Sequence, residues 1–292
     1  MTTKIPDRLW LCMSDSNRTR TLSRALAKGG GYTVYMGPTL DEEGPVGLVV
    51  CDDRNSPRLP DARRNAAPNQ KVLLVTGGGA RLPAADFYLD HDTDAGVLFN
   101  VIEGMRFLRD YEMTLAELQK VQLASVTSLV QAEFSVSTVE EARDLALMLA
   151  QICPQPSHVA VGLYVLLTNA IEHGNLEIDP AEKTQALAEG KWRRYLKTRQ
   201  DDRQFAGREV RVKFQRGGRV LSLLIQDDGL GIDPEMAERA DPTRNTYRGK
   251  GVKMARSLGF SQLRYLGVGN MIEATLLLKP PQMEDVRRSA AV

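Results

Sequence analysis

The hydrophobic pattern changes character twice along the chain. Up to about residue 90, short apolar runs alternate with polar or helix-like stretches. RLWLCM (8–13), YTVYM (32–36), GLVVC (47–51) and KVLLVT (71–76) are short and rich in β-formers, and DFYL (86–89) is a weaker run of the same kind. Between the first two lies SDSNRTRTLSRALAKGGGY, with a polar start, helical spacing and a glycine stop. Strands separated by helices or turns predict a parallel sheet with helices on both faces. The segment between Cys51 and Lys71 is rich in Pro, Asn and Arg, so its helix is expected to be short or frayed.

From about Ala95 to Phe134 the pattern reads as helix. Val101, Leu108, Leu115, Gln122 and Leu129 recur every seven residues, with Tyr111, Leu118 and Ser125 three positions after members of that series. A sustained seam of this period predicts a coiled coil, and with it a homodimer joined through the 95–134 helix. One long helix packed on its own domain is the alternative. Ser137 or Thr138 with Glu140 and Glu141 then opens a capped helix whose apolar face is Ala142, Leu145, Ala146 and Leu149, ended by Pro154. A second helix is expected from about His158 to His173, and a charged helical excursion at KTQALAEGKWRRYLKTRQ. The strands REVRVKFQRGG and RVLSLLIQD meet at the Arg216–Gly217–Gly218 turn. A glycine-rich loop, a helix KGVKMARSLGF and a strand pair SQLRYLGVGNMIEATLLLK follow. The division expected is 1–94, a helical linker 95–134, an α/β sandwich 135–281, and a disordered tail 282–292.

Composition changes this picture little. The chain of 292 residues is 42% apolar and 26% charged, with net charge +1, which gives no electrostatic footprint for nucleic acid. Cys12, Cys51 and Cys153 sit far apart in apolar runs, as buried free thiols of a reducing compartment do. No apolar run is long enough to span a membrane and MTTKIPDRLW lacks a signal-peptide core, so the expected location is cytoplasmic, with no membrane partner.

Candidate chemistry lies in the second half. DDGLG (227–231), RGKG (248–251) and GVGN (267–270) follow the helical stretch GLYVLLTNAIEHGN in that order. Gly-x-Gly lets backbone N–H groups approach a phosphate or base with no Cβ in the way. Where RGKG enters a helix, the helix N-terminus adds a positive dipole for a polyphosphate. A carboxylate ahead of the first glycines can accept a hydrogen bond from an exocyclic amino group. An Asn facing phosphates offers its amide oxygen to Mg²⁺. His173 reads as a helix-end hydrogen-bonder and Asn175 as a turn residue.

With this order of boxes, residues 134–279 resemble the GHKL ATPase superfamily, particularly its anti-sigma-factor-like serine kinases. The resemblance implies ATP and Mg²⁺ as cofactors, with Asn169 as the magnesium ligand and Asp227 as the adenine-binding acid. It places Gly229 and Gly231 in the adenine pocket. Arg248, Gly249, Lys250 and Gly251 would cover the phosphates, and Thr275 would put a hydroxyl near the adenine. The family's general base, a Glu one helical turn before the Asn, is Val165 here, and valine cannot take a proton. Glu172, three residues after Asn169, is the remaining candidate base.

Residues 7 to about 110 resemble a degenerate response-regulator receiver of flavodoxin-like fold. Ser14–Asp15 stands where the acidic pair belongs, Asp53 or Asp52 at the phosphoacceptor, Thr76 at the hydroxyl, and His91 where a Lys is usual. The resemblances together imply an α/β protein: a receiver-like parallel sheet, a helical linker and a GHKL sandwich with a mixed sheet. Its function would be bacterial signal transduction, a receiver-like input coupled to an Mg·ATP-binding pseudokinase output. Its partner would be a protein such as a sigma factor, an antagonist or a histidine kinase. An active serine/threonine kinase and a nucleotide-free dimeric scaffold are the alternatives. A histidine kinase is excluded, because His91, His158 and His173 are the only histidines and none lies in the linker.

Overall fold

The first apolar runs become one sheet. In the computed structural model, which describes residues 7–37, 44–64, 66–77, 82–117, 129–231 and 258–278, β1 (Asp7–Cys12), β2 (Tyr32–Tyr35), β3 (Val46–Asp52), β4 (Ala66–Thr76) and β5 (Phe87–Asp90) pair side by side. Their order is β2-β1-β3-β4-β5 and every pairing is parallel. β3 is buried from Val46 to Cys51 without alternation, as a strand covered on both faces must be. α1 (Ser16–Ala25) opens on the side chain of Asp15 and, after a wide last turn, ends at Gly31, whose φ of 70° suits glycine. The expected short helix is α2 (Leu59–Arg64), and β4 begins at Ala66 rather than Lys71, with a register shift against β3.

α3 (Ala95–Glu117) begins the predicted long helix, and the first members of its heptad seam lie in the chain's own core. Val101 and Leu108 are 0% and 3% exposed, buried with Leu98, Ile102 and Met105 in the chain's own core. That is the alternative reading, over the part of the seam described; Leu118, Gln122 and Ser125 lie outside the described residues. The linker expected to run as helix to Phe134 is corrected at its end. β6 (Gln131–Val136) pairs antiparallel with β7 (Val210–Gly217), because QAEFSV alternates exposed and covered positions with period two.

α4 (Val139–Ala150) carries the expected capping box, with Glu141 N–H on the Thr138 hydroxyl and the Glu141 carboxylate on the Thr138 N–H. α5 (Pro156–Asn169) is buried on all sides from Val159 to Thr168, a helix enclosed by protein. α3 and α4 pack on it. Gly162 makes this possible on another side, since a Cβ there would meet Phe260 Cε2 at 2.8 Å and Leu258 Cβ at 3.1 Å. α6 (Pro180–Glu189) and α7 (Trp192–Gln200) form the charged excursion. β8 (Val220–Gln226), β9 (Gln262–Leu266) and β10 (Met271–Leu277) complete a second sheet of order β6-β7-β8-β10-β9. It is antiparallel throughout, where a mixed sheet was expected.

The chain is therefore α/β, with a parallel sheet and a separate antiparallel sheet. One buried apolar cluster runs from Leu9 and Leu11 through α3 and α5 to Leu276, and a smaller one around Trp10 fills the other face of the first sheet. Cys12, Cys51 and Cys153 are buried free thiols, and burial pushes Cys51 and Cys153 up to about 12. Among the described residues no helix is long and apolar enough to cross a membrane.

Candidate functional site

The end of α5 builds one wall of a cavity of about 280 Å³. Past Asn169 the helix widens into a π turn over Ala170–Asn175, a local irregularity that often marks a site. Asn169, Ala170, His173 and Gly174 line the cavity from this side. Opposite them stand Ile225 and Asp227 at the end of β8, with Tyr265 and Ile272, which face each other in the β9–β10 register. Leu230, Gly231 and Gly269 supply loop backbone and one apolar side chain.

Asp227 is the chemical centre. Its backbone N–H donates to the Asn270 carbonyl at 3.0 Å, and Asn270 Nδ2 donates back to the Asp227 carbonyl at 3.1 Å. Its carboxylate accepts the Gly229 N–H at 2.9 Å. Burial, aided by the neighbouring charge of Asp228, outweighs that bond and raises the carboxyl to about 6. Asp228 goes the other way. Partial burial would raise it, but the Glu209 N–H at 3.1 Å and Arg211 at 2.5 Å prevail and hold it low. Two adjacent acids thus divide the work, one facing the cavity and one anchoring the strand end.

The glycines here have a close-approach function. A Cβ on Gly174 would collide with the Asp227 carboxyl group, and one on Gly229 would lie 2.5 Å from the Gly174 carbonyl oxygen. Gly231, at φ 75°, passes against the Val268 carbonyl. The second anchor is Asn175, 2% exposed, which the sequence presented only as a turn residue. Its Oδ1 accepts the Asp228 N–H at 2.8 Å and its carbonyl accepts Arg208 Nη1 at 2.9 Å. Nothing in its sequence context except its place after His173–Gly174 signals this role. Ile225, Tyr265 and Ile272 were also missed, since an apolar strand residue reads as core whether or not a cavity opens above it.

His173 is the expected hydrogen-bonder: Nδ1 donates to the Ile178 carbonyl at 2.6 Å, which leaves Nε2 as the acceptor of the neutral ring. Burial first, then the Lys183 charge, holds its pKa down. Glu172 is corrected as a candidate base. It is 1% exposed, accepts Lys183 Nζ at 2.6 Å, and is not among the residues lining this cavity. Val165 is fully buried. Thr275 is corrected as well. Along β10, Ile272, Ala274 and Leu276 share one face, so Thr275 points to the other, beside Ser222, and does not line the cavity. Arg248, Gly249, Lys250 and Gly251 lie outside the described residues.

At the carboxyl ends of the parallel strands, the residues expected to form a phosphoacceptor site are near one another but otherwise engaged. Asp15 caps α1, accepting from the Asn17 and Arg18 N–H groups. Asp52 holds two loops, taking the Ser14 N–H at 2.5 Å and the Asn55 N–H and Nδ2 at 3.1 and 2.7 Å. Partial burial pushes Asp52 up, yet these bonds outweigh it and its pKa is lowered. Asp53 is exposed and accepts the Gly77 N–H at 2.9 Å, just past Thr76. The Thr76 carbonyl takes the His91 N–H, while the His91 ring is exposed and lies 3.2 Å from Asp90. Arg18 reaches across to the His91 carbonyl at 2.7 Å, with Asp15, Asp92, Asp94 and Asp52 as the surrounding charges. Among the described residues no three acids, histidines or cysteines are grouped to hold a metal.

Against known proteins, the chain matches no family model and no curated sequence.

Proposed function

We propose that this chain is a signalling protein whose second half, GHKL-like, binds Mg·ATP in the cavity at Asp227 and regulates a protein partner with little or no turnover. The observation that carries the reading is convergence: Asn169, Asp227 and Gly231, far apart in sequence, line one cavity together. The donors and walls fit an adenine nucleotide. The Asp227 carboxylate is an acceptor for an exocyclic amino group, and Ile225, Ile272 and Leu230 are apolar surfaces for a ring. Gly174 and Gly229 let the Asp227 loop close against the π turn, since a Cβ at either would strike the protein's own atoms. Asn169 would offer its amide oxygen to the magnesium ion, which neutralises phosphate charge when bound.

Catalysis has less support. The residue one turn before Asn169 is a buried valine, and the nearest substitute carboxylate is neutralised by Lys183. Glu172 is the one acid between Pro156 and Asn175 and does not line the cavity, which Asp94, Glu177 and Asp179 line from other segments. The first half carries the β2-β1-β3-β4-β5 order of flavodoxin-like sheets, which favours a receiver-like input. With Asp15 and Asp52 committed to backbone N–H groups, it serves as a docking unit in a cytoplasmic signalling chain. Calorimetry with Mg·ATP tests the reading: saturable binding, weakened at least tenfold in Asp227→Asn, is expected. No binding by the folded wild-type chain would sink it, and rapid Asn169-dependent turnover would replace it with an active kinase.

A further inference from the structure

The cavity wall is not made by the second half alone. Asp94, just ahead of α3, and Gly96 and Val97 in its first turn line it together with Asp179, the cap of α6, and Pro180 and Lys183 within it. Asp94 is spent on its own helix, accepting the Val97 N–H at 2.9 Å. Gly96 lies against the Lys183 stem, where a Cβ would sit 3.3 and 3.4 Å from Cδ and Cε, and 3.2 Å from Asp94 Oδ1. Lys183 is 2% exposed, and its ammonium joins the halves. It donates to Glu172 at 2.6 Å on the π turn and to Asn100 Oδ1 at 3.0 Å on α3. Asn100 Nδ2 reaches Thr168 at 3.3 Å, and Glu172 more distantly at 3.5 Å. The turn that presents His173 and Gly174 to the cavity is thereby tied to the helix that follows β5 of the parallel sheet.

We propose that the cavity is a junction site, in which the first turn of α3 forms a wall of the nucleotide pocket and Lys183 is a positioning residue that makes nucleotide affinity depend on where the first half holds α3. This rests on the nucleotide reading above and adds its regulation. The physical reason is burial. An ammonium this enclosed cannot exchange a partner for water, so a shift of α3 that withdraws Asn100 must either drag Lys183 with it or leave polar groups unsatisfied. A movement of the first half therefore reaches Glu172 and the adjoining cavity wall without any residue of that half touching Asp227. Reciprocally, a ligand filling the cavity presses on Gly96 and Val97 and restrains α3.

The experiment uses the full chain. Affinity for Mg·ADP is measured by calorimetry for wild type, Asp227→Asn, Gly96→Ala, Gly96→Val and Asn100→Ala, alongside hydrogen exchange of amides 95–105 with and without Mg·ADP. Gly96 is at an ordinary helical φ, so both substitutions keep the backbone, and Ala against Val grades the intrusion into the cavity wall. The expected result is a loss of a few-fold for Ala and at least tenfold for Val. Slowed exchange of the α3 amides on Mg·ADP addition is also expected, absent in Asp227→Asn. Wild-type binding that is lost in Asp227→Asn but equal in both Gly96 variants and Asn100→Ala, with no change in α3 exchange, overturns the junction and leaves the nucleotide reading standing. Absence of Mg·ADP binding in folded wild type overturns both.

Discussion

At the residue scale, Asp227 couples stability to pH and, on the proposed function, to binding. Its folded pKa of about 6 lies above the unfolded value, so the native state holds this proton more tightly, and the ionised carboxylate costs stability above about pH 6. That cost fades as pH falls through 6. Asp227→Asn should accordingly raise the thermal midpoint at pH 7.5, with the gain over wild type shrinking by pH 5. Scanning calorimetry at the two pH values checks it. Under the proposed function nucleotide affinity should follow the opposite course: with the Asp227 carboxylate as the acceptor, wild-type Kd should rise below about pH 6 and the part of that dependence due to Asp227 should vanish in the Asn variant. Val165 gives a second prediction. Because it is fully buried, Val165→Glu should not restore a base but destabilise the fold by roughly 3 kcal/mol or more, read as a fall in the denaturant midpoint.

At the element scale, the most legible features were those governed by neighbours in sequence. The Thr138–Glu141 capping box and the alternation of β7 and β8 need only local geometry, and both were readable. Thr138→Ala should cost about 1 kcal/mol, measured by urea unfolding, as loss of an N-cap does elsewhere. The heptad series in α3 was legible as a helix, but not the burial of Val101 and Leu108 in the chain's own core. A seam of period seven says which face is apolar, and the chain's own core, not the spacing, decided what covers Val101 and Leu108. β6 was missed because the helical reading was carried to Phe134, into residues whose real period is two. Asn175 belongs here too: it joins the π turn to the β8 end, and Asn175→Ala should weaken stability by about 1–3 kcal/mol and lower nucleotide affinity, checked by unfolding and calorimetry on one sample.

At the scale of the whole molecule, the continuous apolar cluster means that neither sheet has a complete core of its own. α3 packs on β3 and β4 of the first sheet and on α5 of the second half, and Arg24 of α1 donates to the Ala188 carbonyl of α6 at 2.6 Å. The chain should unfold in one calorimetric transition, shifted upward by Mg·ADP, rather than in two. A cut before residue 131 should yield a second half that aggregates, since the face of α5 that α3 covers would meet water.

The sequence by itself determined most of the described elements though not β6, the parallel character of the first sheet, the β7–β8 hairpin of the second, and Asp227 and Gly231 beside the candidate pocket. These depend on hydrophobic period, on turn chemistry and on residue types that suit one task. Tertiary structure decided which candidates meet. It turned Thr275 to the far side of its strand, committed Glu172 to Lys183, and set Asp15 and Asp52 to holding loops. It also brought the first turn of α3 to the cavity. Such outcomes rest on contacts between segments tens of residues apart, where burial and desolvation set what a carboxylate can do, and no local pattern records them.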